Sequence, residues 1–145
     1  MFRSGFMMVG VAALTATLLN GQERPARSAQ DQGTKSITLF EGQEVVTKGG
    51  VIHESVTVET GGYSDMRISV RVDGPKITGG EVIVSSYLNS GKTALVSRHN
   101  LRGGTDVVSG GFDIKVFGSQ MVVRIFMENL ECESVTLSAD AYLVR

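Results

Sequence analysis

The sequence predicts an all-β, antiparallel fold: two sheets packed as a sandwich, with jelly-roll-like connections. Two patterns carry the prediction. Runs such as Met66-Arg67-Ile68-Ser69-Val70-Arg71-Val72 alternate apolar and polar residues, which puts one face on a core and the other in water. Five Gly-Gly pairs, at 49–50, 61–62, 79–80, 103–104 and 110–111, punctuate these runs, and glycine supplies the positive φ angles of tight turns. An absence agrees with them: after residue 31 no stretch keeps helical spacing. An immunoglobulin-like sandwich and a small closed barrel are the alternatives. The first is disfavoured because the chain has no Trp and a single Cys, so the Cys–Trp–Cys signature cannot form. The glycine pairs are irregularly spaced, which argues against a solenoid or propeller.

The chain has 145 residues, and residues 1–30 read differently from the rest. Arg3 precedes an apolar run from Phe6 to Leu19, followed by the aperiodic polar segment Asn20–Gln30. This is the pattern of a secretory signal peptide with a polar linker. A helix over the run would rise about 21 Å, short of a hydrocarbon core of about 30 Å, so no stable transmembrane span is expected. The expectation is an exported protein, secreted or periplasmic, with one sandwich domain over residues 31–145. A domain of that length buries enough apolar surface to fold without disulfides.

Strands are expected at Ser36–Phe40, Gln43–Thr47, Glu54–Thr60, Asp65–Asp73, Glu81–Leu88, Lys92–Arg98, Phe112–Phe117, Gln120–Asn129 and Ser134–Val144. Asn89-Ser90-Gly91 reads as a hairpin loop, and Gly118-Ser119 as a two-residue turn with Gly first. In the last two strands, Met121, Val123, Ile125 and Met127 share one face, as do Val135, Leu137, Ala139, Ala141 and Leu143. A hairpin centred near Glu131 sets Ile125 beside Leu137 and brings Arg124 diagonal to Asp140. Val122 and Phe126 then fall on the outward face, where apolar residues want a cover. Val122, Arg124 and Phe126 are therefore the candidate interface of a homo-oligomer.

Charge limits the partners. Three of the fourteen Lys and Arg (Arg3, Arg24, Arg27) and one of the fifteen Asp and Glu (Glu23) precede Asp31, leaving eleven against fourteen. This mild acidity does not provide the basic footprint that nucleic acid requires. Cys132 has no intramolecular partner and, between Glu131 and Glu133, reads as a plain thiol in a turn; an intermolecular disulfide is the alternative.

No catalytic constellation emerges. Gly91-Lys92-Thr93 lacks the earlier glycine and following helix of a phosphate loop. His53 and His99 are the only histidines, too few for a zinc site without converging acids; His99, after Arg98, is expected at a strand end facing solvent. Ser97 lies near it with no evident third partner for serine catalysis. Gly62-Tyr63-Ser64-Asp65-Met66 misses the nucleophile-elbow pattern. Asp65, Asp73, Asp106 and Asp113 sit at turns and strand starts, their usual structural places. No cofactor is expected. Calcium held by loop oxygens stays open, since such sites leave little trace, but no Asp-x-Asp-x-Asp-Gly run marks one.

Two features suggest binding. Arg67 and Arg71 share the outward face of one strand and suit an acidic ligand or sugar. Tyr63, Tyr87 and Tyr142 offer rings for sugar stacking. The functional expectation is a small exported non-catalytic sandwich that binds an unidentified ligand or envelope protein, with Tyr63, Arg67, Arg71 and Tyr87 as candidate contacts. A homo-oligomeric structural subunit and a polysaccharide-acting hydrolase are the alternatives.

Overall fold

A computed structural model describes residues 33–145; the leader-like segment 1–30 lies outside these residues. Thr34–Arg145 forms one compact unit. Its eight strands are β1 (Thr34–Val46), β2 (Ile52–Glu59), β3 (Asp65–Asp73), β4 (Gly80–Tyr87), β5 (Thr93–Gly103), β6 (Val107–Lys115), β7 (Gln120–Met127) and β8 (Ser134–Val144). Every strand pairing is antiparallel, in the order β1-β8-β3-β6-β5-β4-β7-β2. The ladders β1·β8, β2·β7, β3·β6 and β4·β5 are those of one long hairpin. Rolled up, it places β1-β8-β3-β6 in one layer and β2-β7-β4-β5 in the other, which is jelly-roll connectivity. The layers join through a short ladder, Arg102↔Ser109 and Gly103↔Val108, so the sandwich is nearly closed on that side.

Alternation places the core. On β3, Met66, Ile68, Val70 and Val72 are buried while Arg67, Ser69 and Arg71 are exposed. On β8, Val135, Leu137, Ala139, Ala141 and Leu143 are buried. Met121, Val123, Ile125 and Met127 of β7, with Val82 and Val84 of β4, supply the opposing layer. Burial of whole Val, Ile, Leu and Met side chains contributes about 1.5–3 kcal/mol each, and this drives the two layers together.

Glycines shape two junctions. Gly49 and Gly50 have φ of +61° and +76° and sit inside the Lys48↔Val51 bridge, where Lys48 N–H donates to Val51 O at 3.0 Å and Val51 N–H to Lys48 O at 3.2 Å. Two positive φ angles in a two-residue loop make a type I′ turn. Here it carries the chain from one layer to the other. Gly42, at φ +59°, lies in the register shift of β1 between Phe40 and Gln43. That bulge lets one strand run through a position where the sequence suggests two, so eight strands replace the expected nine.

The expected terminal hairpin does not form. β7 pairs with β2 and β4, and β8 with β1 and β3. Ile125 stands opposite Glu54 and Val82, and Leu137 opposite Gln43 and Val72. Both are buried, at 0% and 1% exposure, but in opposing layers. The reason lies in residues 128–133. Asn129 takes φ +58° and Leu130 N–H donates to Gly50 O at 2.9 Å, which ties the segment to the β1–β2 turn and sends the chain across the sandwich. Arg124 and Asp140 therefore lie in different sheets and do not pair. Gly118 has the expected positive φ, +88°, yet its turn also crosses layers, since β6 and β7 are not neighbours.

Candidate ligand-binding face

The two layers present unlike outer faces. On the β1-β8-β3-β6 side the charges neutralise one another. Arg67 Nε and Nη2 donate to Asp113 Oδ1 and Oδ2 at 2.7 and 2.9 Å. Arg71 grips Asp73 through Nε and Nη2, at 2.8 Å to Oδ2 and 2.6 Å to Oδ1. Lys115 pairs with Asp65. These hydrogen bonds hold the carboxyls of Asp113, Asp73 and Asp65 below the usual aspartate range, the cations Arg67, Arg71 and Lys115 being the leading cause, and they raise Arg67 and Arg71 in return. Two of these pairs, Arg67–Asp113 and Lys115–Asp65, bridge β3 and β6, and Arg71–Asp73 lies along β3; exposed pairs of this kind contribute modestly to stability and leave the two arginines already occupied.

The β2-β7-β4-β5 side is different. Register lays its outward residues in rows: His53, Phe126, Glu81, Asn100; then Ser55, Arg124, Ile83, Arg98; then Thr57, Val122, Ser85, Leu95. Val122 and Ser85 are each only 3% exposed although they point away from the core. Arg124 covers them: its Nη1 donates to Ser85 Oγ at 3.1 Å, and Nη2 reaches Thr93 Oγ1 at 3.4 Å. Leu95 stays 62% exposed and Tyr87, at the end of β4, 41%. At the other end Phe126 meets His53 edge-on, with ring centroids 6.2 Å apart. Phe126, Glu81, Arg98 and Asn129 border an open depression of about 470 Å³, floored by Gly79 and Gly80. A Cβ at Gly80 would lie 2.8 Å from Met127 Cγ and 3.2 Å from Phe126 O, so only glycine allows this close approach of β4 to β7.

The residues singled out from the sequence are distributed over both layers. Arg67 and Arg71 share one outward face, joined there by Tyr142, which pairs with Arg67. Tyr63 is half-buried in the β2–β3 loop, with the Arg145 guanidinium 5.4 Å from its ring centroid. Tyr87 belongs to the opposite layer. The four do not converge, whereas Val122, Arg124 and Phe126 do lie on one face. Ile83, Ser85 and Arg98 are members of that face that the sequence did not single out, because Val82-Ile83-Val84 reads as an unbroken apolar run.

His99 is not at a strand end. It lies within β5 beside Val82, on the inward side, and stacks on Phe112 with ring centroids 4.4 Å apart. Its Nε2 and the Oγ of Ser97 are buried without hydrogen-bond partners among the described residues. The β5 bulge between Leu95 and Ser97 turns Ser97 inward and carries His99 with it. Among the described residues no three His, Cys, Asp or Glu side chains gather in metal-binding geometry, and no helix is long and apolar enough to cross a membrane.

No protein-family model matches the chain, and no curated protein matches it in sequence. Solved structures do match in shape. A carbohydrate-binding module from glycoside hydrolase family 9 (Cel9A) of Ruminococcus flavefaciens FD-1 is 12% identical, with a TM-score of 0.47 over 78% of this chain and 98% of that one. TmCBM61, solved with β-1,4-galactotriose, is 12% identical, with a TM-score of 0.48 over 82% and 93%. The Tobacco streak virus coat protein is 9% identical, with a TM-score of 0.41 over 79% and 88%.

Proposed function

We propose that the protein is an exported, non-catalytic binding module whose ligand lies across the outward face of the β2-β7-β4-β5 sheet. The observation that carries this is the contrast between the two faces. One ties both of its β3 arginines and Lys115 into ion pairs, Arg67–Asp113, Arg71–Asp73 and Lys115–Asp65. The other keeps Phe126, Ile83, Leu95 and Tyr87 together with an open depression beside Phe126. Apolar rings and a few convergent polar groups in a concavity are what a ligand site needs. The non-catalytic part rests on the acids: Asp65, Asp73 and Asp113 each hold a cation instead of facing one another across a cleft. The export part rests on Arg3 and the apolar run Phe6–Leu19.

A glycan array probed with the protein tests the reading. The wild type is expected to bind at least one glycan, and Phe126→Ala to lose it while melting normally. Silence across the array refutes a saccharide-binding face.

A second reading, a homo-oligomeric subunit, is favoured by one observation. Tyr87, Leu88, Leu95 and Phe117 are exposed. Tyr87 and Leu95 are diagonal neighbours across β4 and β5, and Ser86 Oγ donates to Phe117 O, which sets Phe117 beside the same end of β4. Light scattering over a range of concentrations decides it: association abolished by Leu95→Glu supports an interface there, and a strict monomer counts against one.

A further inference from the structure

Arg124 is unusual in its surroundings. Among the described residues it is the one lysine or arginine that is not exposed. It stands at the centre of the β2-β7-β4-β5 face, between Ser55 and Ile83, over the buried Val122. Its contacts are two hydroxyls, Ser85 and Thr93, and among the described residues no carboxylate reaches it. Of the ten exposed lysines and arginines among the described residues, five (Arg67, Arg71, Lys76, Arg98 and Lys115) carry an ion pair; Arg124 differs from the other five in being partly withdrawn from water. The nearby acids are engaged elsewhere. Glu81 faces Arg98 at 3.6 Å, and Glu59 accepts from Gln120 Nε2 at 2.5 Å. A cation partly withdrawn from water without a counter-charge is unfavourable, and a guanidinium with free donors matches a carboxylate in a planar, two-point fit.

We infer that the ligand is an acidic saccharide whose carboxylate sits on Arg124. The inference rests on the proposed binding face and deepens it. The rest of the face suits a sugar. Ser55, Thr57 and Thr93 offer exposed hydroxyls around the guanidinium, and the rings of Phe126 and Tyr87 stand toward its two ends, where apolar sugar faces can stack. An acidic peptide fits less well. Extended peptides bind by adding a strand to a free sheet edge; the free edge of this layer is β2, one strand removed from Arg124, whose own strand β7 is paired on both sides.

The test uses the full-length protein, three uronate polymers (polygalacturonate, alginate and hyaluronan), the fully methyl-esterified form of polygalacturonate, the carboxyl-reduced forms of alginate and hyaluronan, a panel of neutral glycans, and poly-L-glutamate. Affinity electrophoresis ranks the probes and calorimetry supplies the constants. At least one uronate polymer is expected to bind, more weakly as salt is raised because the contact is ionic. Where that polymer is polygalacturonate, esterification lowers affinity about tenfold; for alginate or hyaluronan the corresponding reduction comes from carboxyl reduction to the neutral polymer. Arg124→Gln lowers it about tenfold, and Arg124→Lys, which keeps the charge but not the planar fork, falls between. Equal affinity for the acid and neutral forms overturns the inference, as does a folded Arg124→Gln that binds like wild type. Tight binding of poly-L-glutamate overturns the saccharide assignment. The acid-against-neutral comparison uses the wild-type protein, so a poorly folding variant does not blunt it. Binding of neutral glycans alone, lost in Phe126→Ala, retires the carboxylate and leaves the binding face standing. Silence to every saccharide retires both.

Discussion

Gly103 and Gly104 are adjacent, yet the structure gives them opposite tolerances. A Cβ on Gly103 would lie 2.0 Å from Val107 O and 2.9 Å from Val108 Cα. It falls short of the 3.4 Å at which ordinary contact begins by about 1.4 Å, and the obstacle is backbone, which cannot rotate away. Gly103 is also one of the two β5 residues that join the layers, through Gly103↔Val108 and Arg102↔Ser109. Making room for a methyl group therefore opens that ladder. Overpacking costs about 1–3 kcal/mol and each lost hydrogen bond about 1 kcal/mol. Gly103→Ala should cost roughly 2–4 kcal/mol, which lowers Tm by about 8–16 °C in a domain of this size. A Cβ on Gly104 meets nothing within 4 Å, so Gly104→Ala should be neutral or slightly stabilising, because it restricts the unfolded chain. Urea and thermal unfolding of the two variants beside wild type measure the difference. If Gly103→Ala unfolds within about 0.5 kcal/mol of wild type, the ordinary scatter of surface substitutions, the β5–β6 ladder is not the tight junction described.

Ile125→Ala, at a fully buried position, should cost about 2–5 kcal/mol, while Leu95→Ala, at 62% exposure, should leave the unfolding midpoint nearly unchanged; a larger loss from Leu95→Ala than from Ile125→Ala would mean the two faces of the sheet are assigned the wrong way round. Acid should weaken the fold modestly. The carboxyls of Asp65, Asp73, Asp113 and Glu131 are held below their ordinary values by Lys115, Arg71, Arg67 and Lys76. A depressed folded-state value gives stability that is present above the unfolded value, about pH 4, and is lost as pH falls through the folded value. Unfolding midpoints should therefore hold steady above about pH 5 and decline below about pH 4. Replacing Asp65, Asp73 and Asp113 by Asn should flatten that decline, and a triple variant with an unaltered acid limb would show that these pairs do not stabilise the folded state.

The strand periods were legible in the sequence because the side-chain period of a strand is local. Met66 through Val72 and Val135 through Leu143 alternate, and the structure buries the same residues that the pattern assigns to a core. The expected boundaries of Asp65–Asp73 and Ser134–Val144 agree with β3 and β8. Alternation also marked Val122, Arg124 and Phe126 as outward apolar and charged residues on one strand. Partner choice was not legible. Residues adjacent in sequence, as in β7 and β8, favour a hairpin by proximity alone, and the sequence holds no local mark that the Asn129–Leu130 segment instead docks on Gly50. Consequently the pairing of Arg124 with Ser85 and Thr93, and the position of Ile83 and Arg98 beside it, came only with the rolled hairpin.

Sequence by itself determined that the chain beyond its first thirty residues is built of β-strands, which side of most strands faces the core, and that glycine pairs mark several of the turns, since these follow from backbone dihedrals and the two-residue repeat. Tertiary structure decided which strands are neighbours, that two apparent strands are one bulged β1, and that one outer face is neutralised by its own ion pairs while the other keeps a half-buried arginine. Those outcomes depend on contacts between residues far apart in the chain, such as Arg124 with Ser85 and Ser134 with Glu44, and a local pattern carries no information at that range.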